Sequence, residues 1–133
     1  MGLVIDSDVW ILAERSGGKL DLARWSEYGG AYMSAITASE LLVGVERAST
    51  AQRKAGRGAF VENLLSIIPV LEFSMPVVRT HARMVAALSK NVTAGAHDAL
   101  IAATAIHHGY AVLTRSVADF KIFAGLKVEA FHL

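Results

Sequence analysis

Short apolar runs alternate along this chain with longer stretches of helical spacing. Leu3-Val4-Ile5 opens the series and predicts a strand over residues 2–6, followed by a helix from about Val9 to Arg15. Leu20 to Tyr28 (LDLARWSEY) is apolar at helical spacing, "AYMSAI" reads as a second strand, and "TASELLVGVERA" as the helix after it. A helix over 50–66 comes next, weakened in its middle by Gly56 and Gly58. "IPVLEF" predicts a third strand, and Pro76 suits the first turn of a helix ending near Lys90. "HDALIAATAIHHG" predicts a strong helix that Gly109 stops. "AVLT" is a fourth strand, "ADFKIF" a helical turn and "KVEAF" a last strand. Strands separated by helices predict an α/β fold whose parallel sheet is covered on both faces. In such folds ligands bind outside the carboxyl ends of the strands.

Composition narrows this picture. The 133 residues suffice for one domain, 1–133, and are too few for two. With 53% hydrophobic residues, disorder is excluded. No apolar run approaches the length of a membrane span, and the start lacks the basic region and cleavage site of a signal peptide. Cysteine is absent, which removes disulfides, thiol catalysis and Cys-based zinc sites. A cytoplasmic protein is expected. The net charge of +1 excludes nucleic-acid binding by overall charge, leaving local clusters. Arg47, Arg53, Lys54 and Arg57 form one, which suits either RNA or a solvated helix face.

Four acids fall where strands give way to helices. Asp6 ends the first strand, Glu40 opens the helix after the second, Asp98 opens the long apolar helix, and Asp119 follows the fourth strand. Each has a local explanation. Asp6 suits an N-cap, and Asp8 a helix macrodipole. Thr37-Ala-Ser-Glu40 and Ser116-Val-Ala-Asp119 have capping-box spacing. Together, however, the acids can converge on one edge of a parallel sheet. Two carboxylates about 4 Å apart repel by about 4 kcal/mol at an effective dielectric near 20, against about 1 kcal/mol from a cap. Convergence therefore demands a cation or raised pKa values. Oxygen ligands alone select a hard ion such as Mg²⁺ or Mn²⁺, the apparatus of phosphodiester hydrolysis.

The blocks "LVIDSDVWI", "SAITASELLVGVERA", "AHDALIAATAIHHG" and "LTRSVADFKIFAGLKVE" resemble, in order, the signature blocks of PIN-domain ribonucleases, specifically VapC toxins of bacterial toxin–antitoxin pairs. The resemblance implies a PIN-like three-layer fold with a mostly parallel five-stranded sheet flanked by helices. It also implies a homodimer and a Mg²⁺- or Mn²⁺-dependent endoribonuclease that cuts tRNA or rRNA to inhibit translation. A cognate VapB-like antitoxin would neutralise it, setting a basic side chain against the acids. A larger toxin–antitoxin assembly is also compatible with the resemblance. By position, Asp6 and Asp98 are implied as metal ligands, directly or through water, with Glu40 completing the cage or positioning the water nucleophile. Asp119 is implied to act through water or a second ion. Asp8, Thr114 and Ser116 are implied to support these acids; Ser116 departs from the Thr-Arg-Asn of relatives.

Other residues carry weaker signals. His107 and His108 suit a helix C-terminus better than a metal, and His97 adjoins Asp98 at the mouth of the presumed site, where RNA would pass. Trp10 suits the core or an interface. Trp25 and Tyr28 suit core or dimer contact more than an RNA stacking platform. Arg115 suits phosphate contact or solvent. Competing functions are a haloacid-dehalogenase-like phosphatase with Asp6 as nucleophile, a receiver domain, and an inactive PIN-like module that only binds RNA or protein. The first lacks a late acid pair, and the second lacks an Asp after the third strand, where only Glu72 stands.

Overall fold

The computed structural model describes residues 1–132; Leu133, part of the expected domain, lies outside the described residues. The strands are β1 (Leu3–Ile5), β2 (Ala31–Ser34), β3 (Val70–Leu71), β4 (Ala111–Thr114) and β5 (Val128–Ala130). The helices are α1 (Ser7–Arg15), α2 (Ala35–Glu46), α3 (Ala51–Ile67), α4 (Met75–Ala86), α5 (Ala96–His108) and α6 (Val117–Phe120). All pairings are parallel and the sheet order is β3-β2-β1-β4-β5. The α/β expectation of a five-stranded parallel sheet between helices therefore holds. Among the described residues no helix is long and apolar enough to cross a membrane.

Alternation along the strands splits the interior into two cores. Leu3 and Ile5 join Met33, Leu113, Trp10 and Val61 on the face covered by α1, α2 and α3. Val4 and Val112 point the other way, against Ile101 and Ala102 of α5, Val77 of α4, and Phe120. Alanines at 99, 102, 103 and 105 are buried, and such small side chains let α5 lie close to its neighbours. The strands turn from β2 on one side of β1 to β4 on the other, so the switch point lies between β1 and β4. A ligand crevice is expected at their carboxyl ends.

Several elements differ from expectation at their ends. β2 stops at Ser34, so Ala35 and Ile36 are helical; the Ser34 hydroxyl accepts the Thr37 amide at 3.0 Å and starts α2 earlier. Leu20–Tyr28 is not an α-helix; only Ala23–Tyr28 coils, as 3₁₀ turns broken at Trp25. Of "IPVLEF" only Val70–Leu71 pairs, at the sheet edge. α4 ends at Ala86 rather than near Lys90. Gly109 does stop α5, in the left-handed region at φ 71°.

Gly2 has a different duty. A Cβ there would stand 2.7 Å from Tyr32 Cε2 and 3.0 Å from the Tyr110 ring, which stack with centroids 5.0 Å apart. Gly2→Ala should therefore cost about 1–3 kcal/mol of stability by overpacking. A denaturant midpoint equal to that of wild type would refute this.

Candidate active site

At the carboxyl ends of β1 and β4, where the topology points, the arrangement is built around Asp6. It follows β1 in extended conformation and caps α1, its Oδ1 accepting the Ser7 amide at 2.8 Å. The N-cap expectation holds for this residue. Its Oδ2 accepts the Thr114 hydroxyl at 2.8 Å, linking the ends of the adjacent strands β1 and β4. Thr114 Oγ1 in turn accepts the Ser116 amide at 2.9 Å. Asp8, in the first turn of α1, accepts the Arg115 amide at 3.2 Å and the Ser116 hydroxyl at 2.9 Å. Thus Ser116 N-caps α6 without a side-chain capping bond, and the expected Ser116–Asp119 box is replaced by this cross-strand contact.

The Thr37–Glu40 box is likewise overturned. Ser34 is the true cap, Thr37 is buried inside α2, and Glu40 lies beyond the first turn rather than opening the helix. Its carboxylate is thereby free to face α5, where Oε2 lies 3.4 Å from His97 Nδ1. Its Oε1 is buried without a hydrogen-bond partner. Asp98 stands in the first turn of α5, as expected.

Electrostatics tie these carboxyls together. Asp6 is only 5% exposed, and burial pushes its pKa up to about 7. The charges of Asp8 and Asp98 push the same way, while the hydrogen bonds from Thr114 and Ser7 pull it down. Asp98 is also raised, first by burial and then by Asp119, Glu40 and Asp8 in that order; His97 opposes them. Acids from β1–α1, α2, α5 and α6 thus act on one another at one edge of the sheet.

Among the described residues no three His, Asp or Glu side chains yet stand grouped as ligands of one ion. The donor set nonetheless fits a hard divalent cation. It is all oxygen, it includes an unpartnered buried oxygen on Glu40, and two of its carboxyls are held above their ordinary range.

Residues 3–123 match the family model of the PIN domain. Over 129 residues the chain is 46% identical to Ribonuclease VapC1 of Rickettsia felis, covering 96% of this chain and 95% of that protein. This chain belongs to the VapC family of PIN-domain ribonucleases. Ribonuclease VapC of Rickettsia bellii is 36% identical over 129 residues, covering 96% of this chain and 95% of that protein. Among solved structures, VapBC2 from Rickettsia felis bound to a DNA fragment from their promoter superposes with a TM-score of 0.84 at 19% identity, covering 99% of this chain and 100% of that one. VapC membership removes the phosphatase with Asp6 as nucleophile and the receiver domain.

The remaining VapC candidates sort by contact. Trp25 and Tyr28 are buried, with Trp25 packed on Phe131 at 5.5 Å, so they are core rather than a platform for bases. Trp10 is core as well. In the basic cluster, Lys54 pairs with Glu46 at 3.2 Å, Arg53 with Ser49, and Arg57 with Glu14 and the Gly44 carbonyl. Three of its four cations therefore meet neighbours on α1, α2 or the loop before α3. His107 and His108 are exposed at the end of α5, where burial and His107 lower the His108 pKa. Gly95 was missed from sequence: a Cβ there would stand 3.0 Å from Asp98 Oδ2. A glycine just before a helix bearing a first-turn acid is the signal that marks it.

Proposed function

We propose that this chain is a metal-dependent endoribonuclease toxin that cuts tRNA or rRNA in the cytoplasm, inhibits translation, and is neutralised by a VapB-like antitoxin. In this reading the whole chain works as one PIN domain within a homodimer, and larger assemblies form with the antitoxin. The observation that carries it is the gathering of acids from separate parts of the chain at one edge of the sheet, where the Asp98 carboxyl is pushed up first by burial and then by Asp119, Glu40 and Asp8. Asp6, Asp98, Glu40 and Asp119 would hold Mg²⁺ or Mn²⁺. When bound, that ion supplies a water of lowered pKa and neutralises charge on the phosphate.

The chain's own residues do the rest. Thr114 and the Ser7 amide orient the two oxygens of Asp6. Glu40, whose buried Oε1 has no hydrogen-bond partner, would complete the cage or position the water nucleophile. Arg115, exposed beside the acids, is a cation available to the RNA phosphates, and the exposed His97 is a further side chain that RNA would meet. Support for the antitoxin comes from the VapBC complex that shares this fold, and from the physics of the site, where a Lys or Arg can serve as counter-charge to the acids.

Purified protein incubated with total RNA and Mg²⁺ should yield discrete new 5′ ends, and sequencing them names the target. Asp98→Asn should lower that cleavage about 10³-fold and relieve growth arrest on expression. Full activity in this variant would reject the assignment. An RNA- or protein-binding module without catalysis would bind but leave every RNA intact.

A further inference from the structure

We infer that Asp8 is a positioning residue: together with Ser116 it latches the loop between β4 and α6, keeping the Thr114 hydroxyl aimed at Asp6. This rests on the nuclease reading and gives that site its supporting structure. The direction of the hydrogen bonds carries this. Thr114 has one hydroxyl proton, and Asp6 Oδ2 at 2.8 Å takes it in preference to Asp8 Oδ2 at 3.4 Å. The Ser116 amide donates to Thr114 Oγ1, which fixes the lone pair on that side. A relay of donors therefore runs from Ser116 N–H through Thr114 O–H to Asp6.

That relay depends on the path of residues 114–116, and Asp8 holds it. Both Asp8 oxygens face the Arg115 amide, and the Ser116 hydroxyl donates to one of them. With these donors in place Asp8 serves the loop rather than a cation. The same loop runs straight into α6, whose first turn carries Asp119. Ser116 thus acquires a role that its departure from the family's Asn had put in doubt: a short hydroxyl reaches the Asp8 carboxylate. Removing a group that orients a metal-binding carboxylate costs about 10–100-fold in metal affinity or activity.

The test compares wild type with D8A, D8N, S116A and the D8A/S116A double variant. Three quantities are measured: Mn²⁺ binding by calorimetry, kcat and KM on an oligoribonucleotide substrate, and melting temperature. D8A should lower kcat about 10–100-fold and weaken Mn²⁺ binding about 10-fold, with KM for RNA unchanged. S116A should move the same quantities less, and the double variant should match D8A, because both act through one latch. D8N should recover most of the loss, since its amide oxygen still accepts from Arg115 and its NH₂ can donate to a turned Ser116 hydroxyl. S116A and D8N carry the test should D8A not fold. A D8A that melts lower but binds Mn²⁺ and turns over like wild type overturns the inference. So does a D8N as impaired as D8A with S116A silent, which would make the charge of Asp8 itself the ligand. Wild type that neither binds Mn²⁺ nor cuts RNA overturns the latch together with the nuclease reading.

Discussion

Asp6→Asn is expected to lower RNA cleavage about 10³-fold while making the metal-free protein more stable at pH 8. The two effects have one cause, a buried carboxyl beside like charges whose pKa is pushed up to about 7. In the unfolded chain the same group ionises near 3.8. Between these values the native state holds a proton that the unfolded state has released, so the share of stability due to Asp6 falls as pH rises. Above about pH 7 the penalty is complete, of order 4 kcal/mol. Asn avoids it. Asn also keeps most of the local bonding: its oxygen accepts from Ser7 and its NH₂ donates to a turned Thr114 hydroxyl, at a loss of about 1 kcal/mol. A net gain of a few kcal/mol should raise the melting temperature by roughly 5 °C or more. The variant should also lose most of the decline in stability between pH 4 and pH 7. Wild-type cleavage by the variant would remove Asp6 from the catalytic set. A variant less stable than wild type at pH 8 without divalent ions would show that the native carboxylate is not under electrostatic strain.

How much of this was readable in advance depended on how local the determining contacts are. β4 was legible to the residue because all four positions of "AVLT" are buried on both sides and nothing else explains such a run. The places of Asp6 and Asp98 were legible because an acid at a helix N-cap or in a first turn keeps its place in the chain whatever surrounds it. β2 was misjudged because Ala35 and Ile36 suit strand or helix equally, and only the Ser34 hydroxyl on the Thr37 amide decides between them. β3 shrank because an edge strand needs pairing on one side only, and it pairs with β2 alone. The latch on the β4–α6 loop joins Asp8 to residues more than a hundred positions away. Spacing cannot reveal such a contact; topology can, once β1 and β4 are neighbours.

Chelation should abolish cleavage, and added Mn²⁺ or Mg²⁺ should restore it, with an apparent ion affinity that rises with pH. An ion bound to Asp6 must compete with the proton that burial and the neighbouring acids leave there up to about pH 7. At pH 6 about one-tenth of that group is ionised and at pH 8 about nine-tenths, so the affinity should rise about tenfold over this interval. The stability curve should respond in the opposite sense to that of the metal-free protein. Without ions the wild type loses stability towards pH 7; with saturating Mn²⁺ it should gain, because the bound cation removes the repulsion that raised the carboxyls. Asp6→Asn should abolish this pH dependence along with most of the binding. A calorimetric titration at pH 6, 7 and 8, with proton release measured in two buffers, separates these cases. An ion affinity that does not change with pH would mean that Asp6 is not a ligand, and cleavage that survives chelation would demand catalysis by the side chains alone.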